Sequence, residues 1–284
     1  MKEKVLMVGL GAMGSVLARL LLEKGKTVMV WNRSEEKTLP LRAMGAAYTP
    51  DIREAVAMSD IIIICLLDYK MTEQILRGIL LEGKTVVQVS TGTPQDARLM
   101  AASFGARGAE YLDGAILATP SQMGTDHTPF FVSGSKAAWV TSEDTLRILS
   151  GGVSYMGEAY GAAATWDIAA LSTMFGMMIG FLNGARLIES EGLQVADLGN
   201  MVLDIAPVLG EMIKDTADDI QQHKYDSPQS SLDICIGTFE LMVRLSAENK
   251  LDSSFARFAQ QLFRKGQEAG YGQQRISALM KTLR

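Results

Sequence analysis

The sequence predicts an α/β plus all-α chain: an open, parallel sheet with helices on both faces, joined by a long interdomain helix to a helical bundle. Three observations predict it. Up to about residue 157, short apolar runs alternate with segments of helical periodicity, the order that builds a parallel sheet covered on both sides. A glycine-rich turn, Gly9-Leu10-Gly11-Ala12-Met13-Gly14, links the first apolar run to the first helical segment. From about Glu158 the strand-like runs stop and long helical runs take over. The change falls in "SGGVSYMGEAYG", which divides the chain into domains of residues 1–157 and 158–284.

Taken in order, "KVLMV" at Lys4 to Val8 is a short apolar strand. "SVLARLLLEKG" repeats its apolar residues at helical spacing and stops at Gly25. "KTVMVWNRS" is a second strand. "SEEKTLPLRAMGA" starts as a helix, with Ser34 as N-cap and acids in the first turn. "DIIIICLLD" is apolar throughout, as parallel strands covered on both faces are. "MTEQILRGIL" is a helix, "KTVVQVST" a strand, and "TPQDARLMAASFGARG" a helix that begins near a proline. "AEYLDGAI" and "TPFFVSG" are further strands. The second half holds helical runs at 161–190, 196–222, 230–246, 252–269 and 273–283.

At 284 residues the chain suits two domains and buries a sizeable core without difficulty. With 32 acids against 27 bases the surface is mildly acidic, so neither a nucleic acid nor an anionic membrane is an expected partner. Cys65, inside "IIIICLL", and Cys235 make neither a disulfide framework nor a zinc site, and a reducing, cytoplasmic location is expected. His127 and His223 are too isolated to share a metal, and none is expected. The N-terminal "MKEKVLMVGLGAMG" has too short an apolar run for a signal peptide.

The glycine turn fits the dinucleotide fingerprint. Gly9 allows the tight turn, Gly11 lets the backbone approach a pyrophosphate, and Gly14 lets the helix pack close to the sheet. Leu10, Ala12 and Met13 complete the loop and the helix start, whose free N–H groups face the anion. Strand, fingerprint, helix and second strand in about thirty residues make the first half a Rossmann dinucleotide-binding domain. The second strand ends in Trp31-Asn32-Arg33-Ser34, with Lys37 one turn on. No acid stands there to hold a ribose 2′-hydroxyl. A guanidinium, a hydroxyl and an ammonium suit a 2′-phosphate, so the expected cofactor is NADP(H), held by Asn32, Arg33, Ser34 and Lys37. The alternative is that Arg33 and Lys37 are solvated charges paired with Glu35 and Glu36.

The segments "GLGAMG", "VWNRSEEK", "CLLDY", "TGTPQDAR", "YLDGAILATPSQMGT", "FFVSG" and "WDIAALSTMFGMMIGFLNGARL" cover most of residues 5–190. With the helical second half, they resemble the superfamily of 3-hydroxyacid and 6-phosphogluconate dehydrogenases. Within it the nearer likeness is to imine reductases and reductive aminases. The resemblance implies an NADPH-dependent reductase of a small imine or amine-derived substrate. It implies a cofactor cleft lined also by Cys65, Leu66, Leu67, Thr91 and Thr93. It further implies a domain-swapped homodimer, the helical half of one chain completing the other's cleft.

The hydroxyacid enzymes carry a lysine four residues after a glycine near the start of the long helix, as acid and base toward the substrate hydroxyl. Counting from Gly161 puts Thr165 there, and no lysine lies between Lys136 and Lys214. Two residues on comes Asp167, where imine reductases similarly place Asp or Tyr; Glu158 is the nearest acid in the preceding glycine region. The loop "GAILATPSQMGT" departs likewise. Ala118-Thr119-Pro120 replaces the serine–glycine–glycine run that holds a carboxylate, while Pro120, Met123, Gly124 and Thr125 meet the imine reductase pattern. Thr119 and Met123 are therefore expected in the substrate pocket.

Asp167 is the one ionisable residue in the apolar run Gly161 to Leu182. The run is long enough to span a membrane, but a carboxylate at a bilayer centre costs about 2.5–3.5 kcal/mol and no second span exists. A helix buried between the sheet domain and a bundle explains the same hydrophobicity. A structural acid with a partner is a second reading; Arg186, ~28 Å along the same helix, is too distant to be that partner. In the third reading Asp167 is the site acid. It stabilises an iminium cation or, when protonated, donates to a neutral imine. Burial raises its pKa and a bound cation lowers it again. Phe175 lies two turns on, about 80° around the helix. Related reductive aminases can have Tyr there, but Phe can only line the pocket. Thr91 stands where some carry Asn; it is either a site hydroxyl or the cap of the following helix. Trp166 and Met174, with Met177 and Met178, are pocket wall or packing. The expected reaction is hydride transfer to the carbon of an apolar, cyclic imine. The alternatives are a hydroxyacid-type dehydrogenase or carbonyl reductase with a substituted acid, and an NADPH-binding sensor without turnover.

Overall fold

A computed structural model describes residues 3–284. The elements alternate through β1 (Lys4–Val8), α1 (Ala12–Glu23), β2 (Thr27–Trp31), α2 (Leu39–Ala43), β3 (Ala47–Tyr48), α3 (Ile52–Ala57), β4 (Ile61–Ile64) and α4 (Tyr69–Ile75). They continue through β5 (Thr85–Gln88), α5 (Pro94–Gly105), β6 (Glu110–Ile116), β7 (Phe130–Gly134), α6 (Lys136–Leu149) and β8 (Val153–Tyr155). The helical half follows as α7 (Ala162–Ser190), α8 (Val195–Gln222), α9 (Leu232–Glu248), α10 (Ser254–Gly266) and the short α11 (Met280–Leu283).

The sheet order is β3-β2-β1-β4-β5-β6-β7-β8. The chain runs outward from β1 through β2 and β3, then returns to β4 beside β1. That reversal opens a crevice at the C-terminal ends of β1 and β4, where ligands of such sheets bind. One pairing differs from the expected parallel sheet: β7 runs antiparallel to β6. A parallel return needs a long crossover, usually a helix, and residues 117–129 supply only a 3-10 turn at Pro120–Gln122.

Side-chain alternation along the strands builds two cores. Val5 and Met7 pack on one face with Leu17 and Leu21 of α1, while Leu6 and Val8 pack on the other with Phe104 and Tyr111. The expected helix at "SEEKTLPLRAMGA" is broken. A 3-10 turn at Glu35–Thr38 precedes α2, and Ser34 makes no side-chain cap bond. Pro40 has no N–H to extend the turn before it, so it begins the next helix instead.

Two compact units, residues 1–173 and 174–284, divide the chain. The first turns of α7 belong to the sheet unit: Ala163, Ala164 and Asp167 are buried. The rest of α7 is not covered as a buried interdomain helix would be. Met174, Phe175, Met177, Met178, Ile179 and Leu182 are all exposed. Length and composition alone would let this helix cross a membrane. Within the second unit, a small core gathers Leu232, Ile236 and Phe263, with the Phe239 and Phe263 rings 5.0 Å apart.

Candidate active site

The glycine turn is shaped by close approaches. Gly9 has φ +96°, and a Cβ there would meet the Cys65 carbonyl oxygen at 2.3 Å. A Cβ on Gly14 would stand 2.0 Å from the Gly9 carbonyl oxygen, so α1 can start this close only on glycine. A Cβ on Gly11 would meet nothing within 4 Å. The space in front of Gly11 is open, as a bound pyrophosphate requires, and the α1 N-terminus faces it.

Asn32 holds this turn to β2. Its Oδ1 accepts the Leu10 N–H at 3.0 Å and its amide donates to the Ser34 carbonyl at 2.9 Å. Its side chain positions the loop, and Asn32 also lines the hollow at the end of β2. Beside it, Arg33, Ser34, Lys37, Leu66 and Met71 line a cavity of about 150 Å³. Glu35, the expected surface partner, pairs instead with Arg42 at 3.0 Å. Among the described residues, neither Arg33 nor Lys37 forms an ion pair. Two free cations and a hydroxyl around one hollow fit a 2′-phosphate.

Leu66 also borders a second cavity of about 250 Å³, lined by Met13, Cys65, Leu67, Ser90, Thr91 and Asp167 among others. The two hollows share Leu66, and Met13 of the glycine turn lines the second. Burial pushes the Cys65 thiol up to about 11, which leaves it protonated and unreactive near neutrality.

Asp167 is 6% exposed and lines the second cavity. Among the described residues no group donates a hydrogen bond to its carboxylate and no cation pairs with it. Burial raises its pKa. Among the described residues of one chain, the paired structural acid of the second reading has no partner. The neighbouring Thr165, at the place of the absent lysine, turns away; it is exposed, and its hydroxyl donates to the Gly161 carbonyl at 2.8 Å.

The other expected residues divide. Thr91 lines the cavity, and capping falls to Thr93, whose hydroxyl accepts from Asp96 N–H at 3.1 Å in a reciprocal box. Thr93 is therefore a helix cap and does not line the cavity beside Asp167. Met123, expected in the substrate pocket, is instead buried in the sheet core with Phe130 and Leu149 and does not line the cavity beside Asp167. Thr119 caps the 3-10 turn that follows it, its backbone N–H and hydroxyl both donating to Gln122 Oε1, and it does not line the cavity beside Asp167. Trp166 is half exposed beside Phe131, ring centroids 5.8 Å apart, and is not part of the cavity wall. Met174 and Phe175 lie in the second unit, both exposed. Among the described residues no cluster of His, Cys, Asp or Glu is placed to hold a metal.

Sequence reasoning missed Ser90, Gly114, Ala115 and Ile116 of the same cavity, and it missed Asp113. Asp113 sits inside β6, 1% exposed. It accepts the Tyr69 hydroxyl and, at 3.1 Å, the Ala164 N–H. Burial lifts its pKa to about 6, with these hydrogen bonds opposing and the nearby Asp167 adding a smaller push. An acid in the middle of "YLDGAI" was the available signal.

A glycine cradle, a cationic hollow at the end of β2 and a cavity closed by one buried carboxylate define a nicotinamide-dinucleotide-dependent class of protein. Residues 4–157 match the NAD binding domain of 6-phosphogluconate dehydrogenase, and residues 159–284 match the NADPH-dependent reductive aminase-like C-terminal domain. The chain is 32% identical to the NADPH-dependent reductive aminase of Aspergillus oryzae, over 99% of this chain and 97% of that one. The imine reductase from Myxococcus stipitatus in complex with NADP+ has a TM-score of 0.93 at 30% identity, covering 99% of this chain and 100% of that one. The reductive aminase from Aspergillus terreus in complex with NADPH4, cyclohexanone and allyl amine has a TM-score of 0.93 at 31% identity, covering 100% of both. The chain belongs to the imine reductase and reductive aminase family.

Proposed function

We propose that this chain is an NADPH-dependent imine reductase acting on an apolar, cyclic imine or iminium, with Asp167 as its site acid. The single observation that carries the role of Asp167 is a carboxylate 6% exposed, without a partner, at the wall of the cavity beside the glycine turn. An unpaired buried carboxylate costs several kcal/mol, and a chain keeps one where a cation or a proton is to be met. NADPH, when bound, supplies the hydride to the imine carbon. Gly9, Gly11 and Gly14 give its pyrophosphate close access, and Arg33, Ser34 and Lys37 take its 2′-phosphate. Asp167 lies against the positive charge of an iminium, or holds a proton for a neutral imine nitrogen, since burial keeps its carboxyl protonated to higher pH. Thr91 offers a hydroxyl to the cofactor ribose or to the substrate amine. Met13, Val89 and Ile116 give the cavity apolar walls and exclude water.

The working form is a homodimer in which the helical half of one copy completes the cleft of the other. This is supported by the exposed apolar side chains along α7, continued on α8 by Met201, Leu203, Val208 and Met212. A membrane reading of α7 is opposed by its first turn, whose N–H groups are bonded to the sheet. The location is cytoplasmic, as the free Cys65 and Cys235 favour.

The test is NADPH consumption with 1-pyrroline and, separately, NADP+ reduction with a 3-hydroxy acid. The proposal expects turnover of the imine. Oxidation of the hydroxy acid without turnover of any imine would reverse it.

A further inference from the structure

Gly161, the residue before α7, has no side chain with which to cap the helix. The sheet supplies the caps instead. Ala163 N–H donates to Ser133 Oγ at 3.0 Å and Ala164 N–H to Asp113 Oδ2 at 3.1 Å. Asp113 and Ser133 face each other in the antiparallel β6–β7 pair, so their side chains rise together from one face of the sheet. Gly161 itself comes so close to α5 that a Cβ would stand 2.7 Å from the Pro94 carbonyl oxygen.

The other oxygen of Asp113 accepts the Tyr69 hydroxyl. Tyr69 is buried, its ring occupying the space that a side chain on residue 92 would need; a Cβ on Gly92 would stand 2.4 Å from it. One carboxylate thus ties α4, β6 and α7 together. The ionisable groups that face it are Tyr69 from α4, Tyr111 from its own strand and Asp167 from α7. Asp167 follows Ala164 by three residues, on the same helix face and about 4.5 Å further along the axis. The residues after Asp113 on β6, Gly114 to Ile116, line the cavity that Asp167 closes.

A serine would cap a helix as well as aspartate does, without the cost of burying a charge. A carboxylate adds the capacity to accept from the helix and the tyrosine at once. It also carries a negative charge under a helix N-terminus, where the dipole favours it. We propose that Asp113 is the positioning residue for Asp167: held by Tyr69, it fixes the first turn of α7 and so the height and rotation at which the Asp167 carboxylate meets the cavity. This rests on Asp167 being the site acid. Displacing a reacting group by about 1 Å can cost on the order of 100-fold in rate.

The experiment compares Asp113→Ala, Asp113→Asn, Asp167→Asn and the double variant Asp113→Ala/Asp167→Asn, each by kcat and KM with 1-pyrroline and by NADPH affinity. Asp113→Ala is expected to lower kcat by about 10- to 100-fold, with NADPH affinity unchanged. Asp113→Asn is expected to recover most of it, its amide oxygen accepting from Ala164 and its NH2 donating to Tyr69 Oη. In the double variant, loss of Asp113 should add nothing to loss of Asp167, because the one acts through the other. Wild-type kcat in Asp113→Ala, or losses that multiply in the double variant, would overturn the proposal. If Asp113→Ala does not fold, Tyr69→Phe takes its place, and wild-type kcat there overturns it equally. Asp167→Asn at the wild-type rate would sink the reading of Asp167 itself, whatever Asp113 does.

Discussion

Replacing Arg33 with alanine removes one of two unpaired cations from the hollow at the end of β2. The structure sets the size of the effect. Arg33 and Lys37 border a cavity of only about 150 Å³, so a phosphate within it lies against both. A hydrogen bond to a charged group contributes about 1.5–3 kcal/mol, or about 10- to 150-fold at 1.4 kcal/mol per decade. Arg33 is exposed, and solvent screening places the loss at the lower end, about 10-fold. NADH has no 2′-phosphate and should lose almost nothing. The assay is steady-state KM for NADPH and NADH with one imine, on wild type, Arg33→Ala and Arg42→Ala. Arg42 is the control, because it is already paired with Glu35 at 3.0 Å and packs 4.7 Å over the Tyr48 ring. Arg33→Ala should raise the NADPH KM about 10-fold and leave the NADH KM unchanged, while Arg42→Ala moves neither. Equal changes for both cofactors in Arg33→Ala would refute the assignment of the hollow to a 2′-phosphate.

Gly14→Ala forces a Cβ to 2.0 Å from the Gly9 carbonyl oxygen, so thermal unfolding should shift to lower temperature and NADPH binding should fail. Gly11→Ala enters open space, so its melting temperature should match wild type while NADPH affinity drops; a lowered melting temperature there would argue against the loop geometry. Asp113, lifted to about 6 from an ordinary 3.8, favours the folded state fully below pH 4 and loses that contribution as pH rises through 6. The gap corresponds to roughly 3 kcal/mol, so the unfolding free energy of wild type relative to Asp113→Asn should fall by that order between pH 4 and 7. A difference that stays flat with pH would contradict it. In sedimentation, the exposed apolar faces of α7 and α8 should produce a species of twice the chain mass, and a monomer alone would exclude the dimer.

The first half was legible because its signals are local. The glycine turn needs three glycines at fixed spacing, and Gly9 and Gly14 prove to be required by backbone contacts of 2.3 and 2.0 Å. The burial of Asp167 at a cavity wall was legible because one carboxylate in an apolar helix has few explanations. What escaped depends on contacts between distant segments. Asp113 reads as an acid in a strand until the antiparallel register of β6 and β7 sets it beside Ser133, beneath a helix that starts fifty residues later. Met123 was misplaced because a loop motif does not say which way a side chain points, and this one enters the core. Two-residue β3 is too short to show periodicity, and α6 passed unread among polar residues. Thr91 and Thr93 were separable in principle. Pro94 sets the first helical position, so Thr93 with Asp96 three residues on is the capping pair, and Thr91 stays free for the cavity.

The role of Asp167 is tested most directly by the rate of NADPH oxidation with 1-pyrroline by wild type and Asp167→Asn, at matched concentrations of folded protein and with NADPH affinity measured alongside. If the proposed carboxylate meets the substrate while the glycine turn meets the cofactor, kcat should fall by about 100-fold or more and NADPH affinity should stay within about twofold of wild type. A folded, NADPH-binding Asp167→Asn that reduces the imine at the wild-type rate would contradict it.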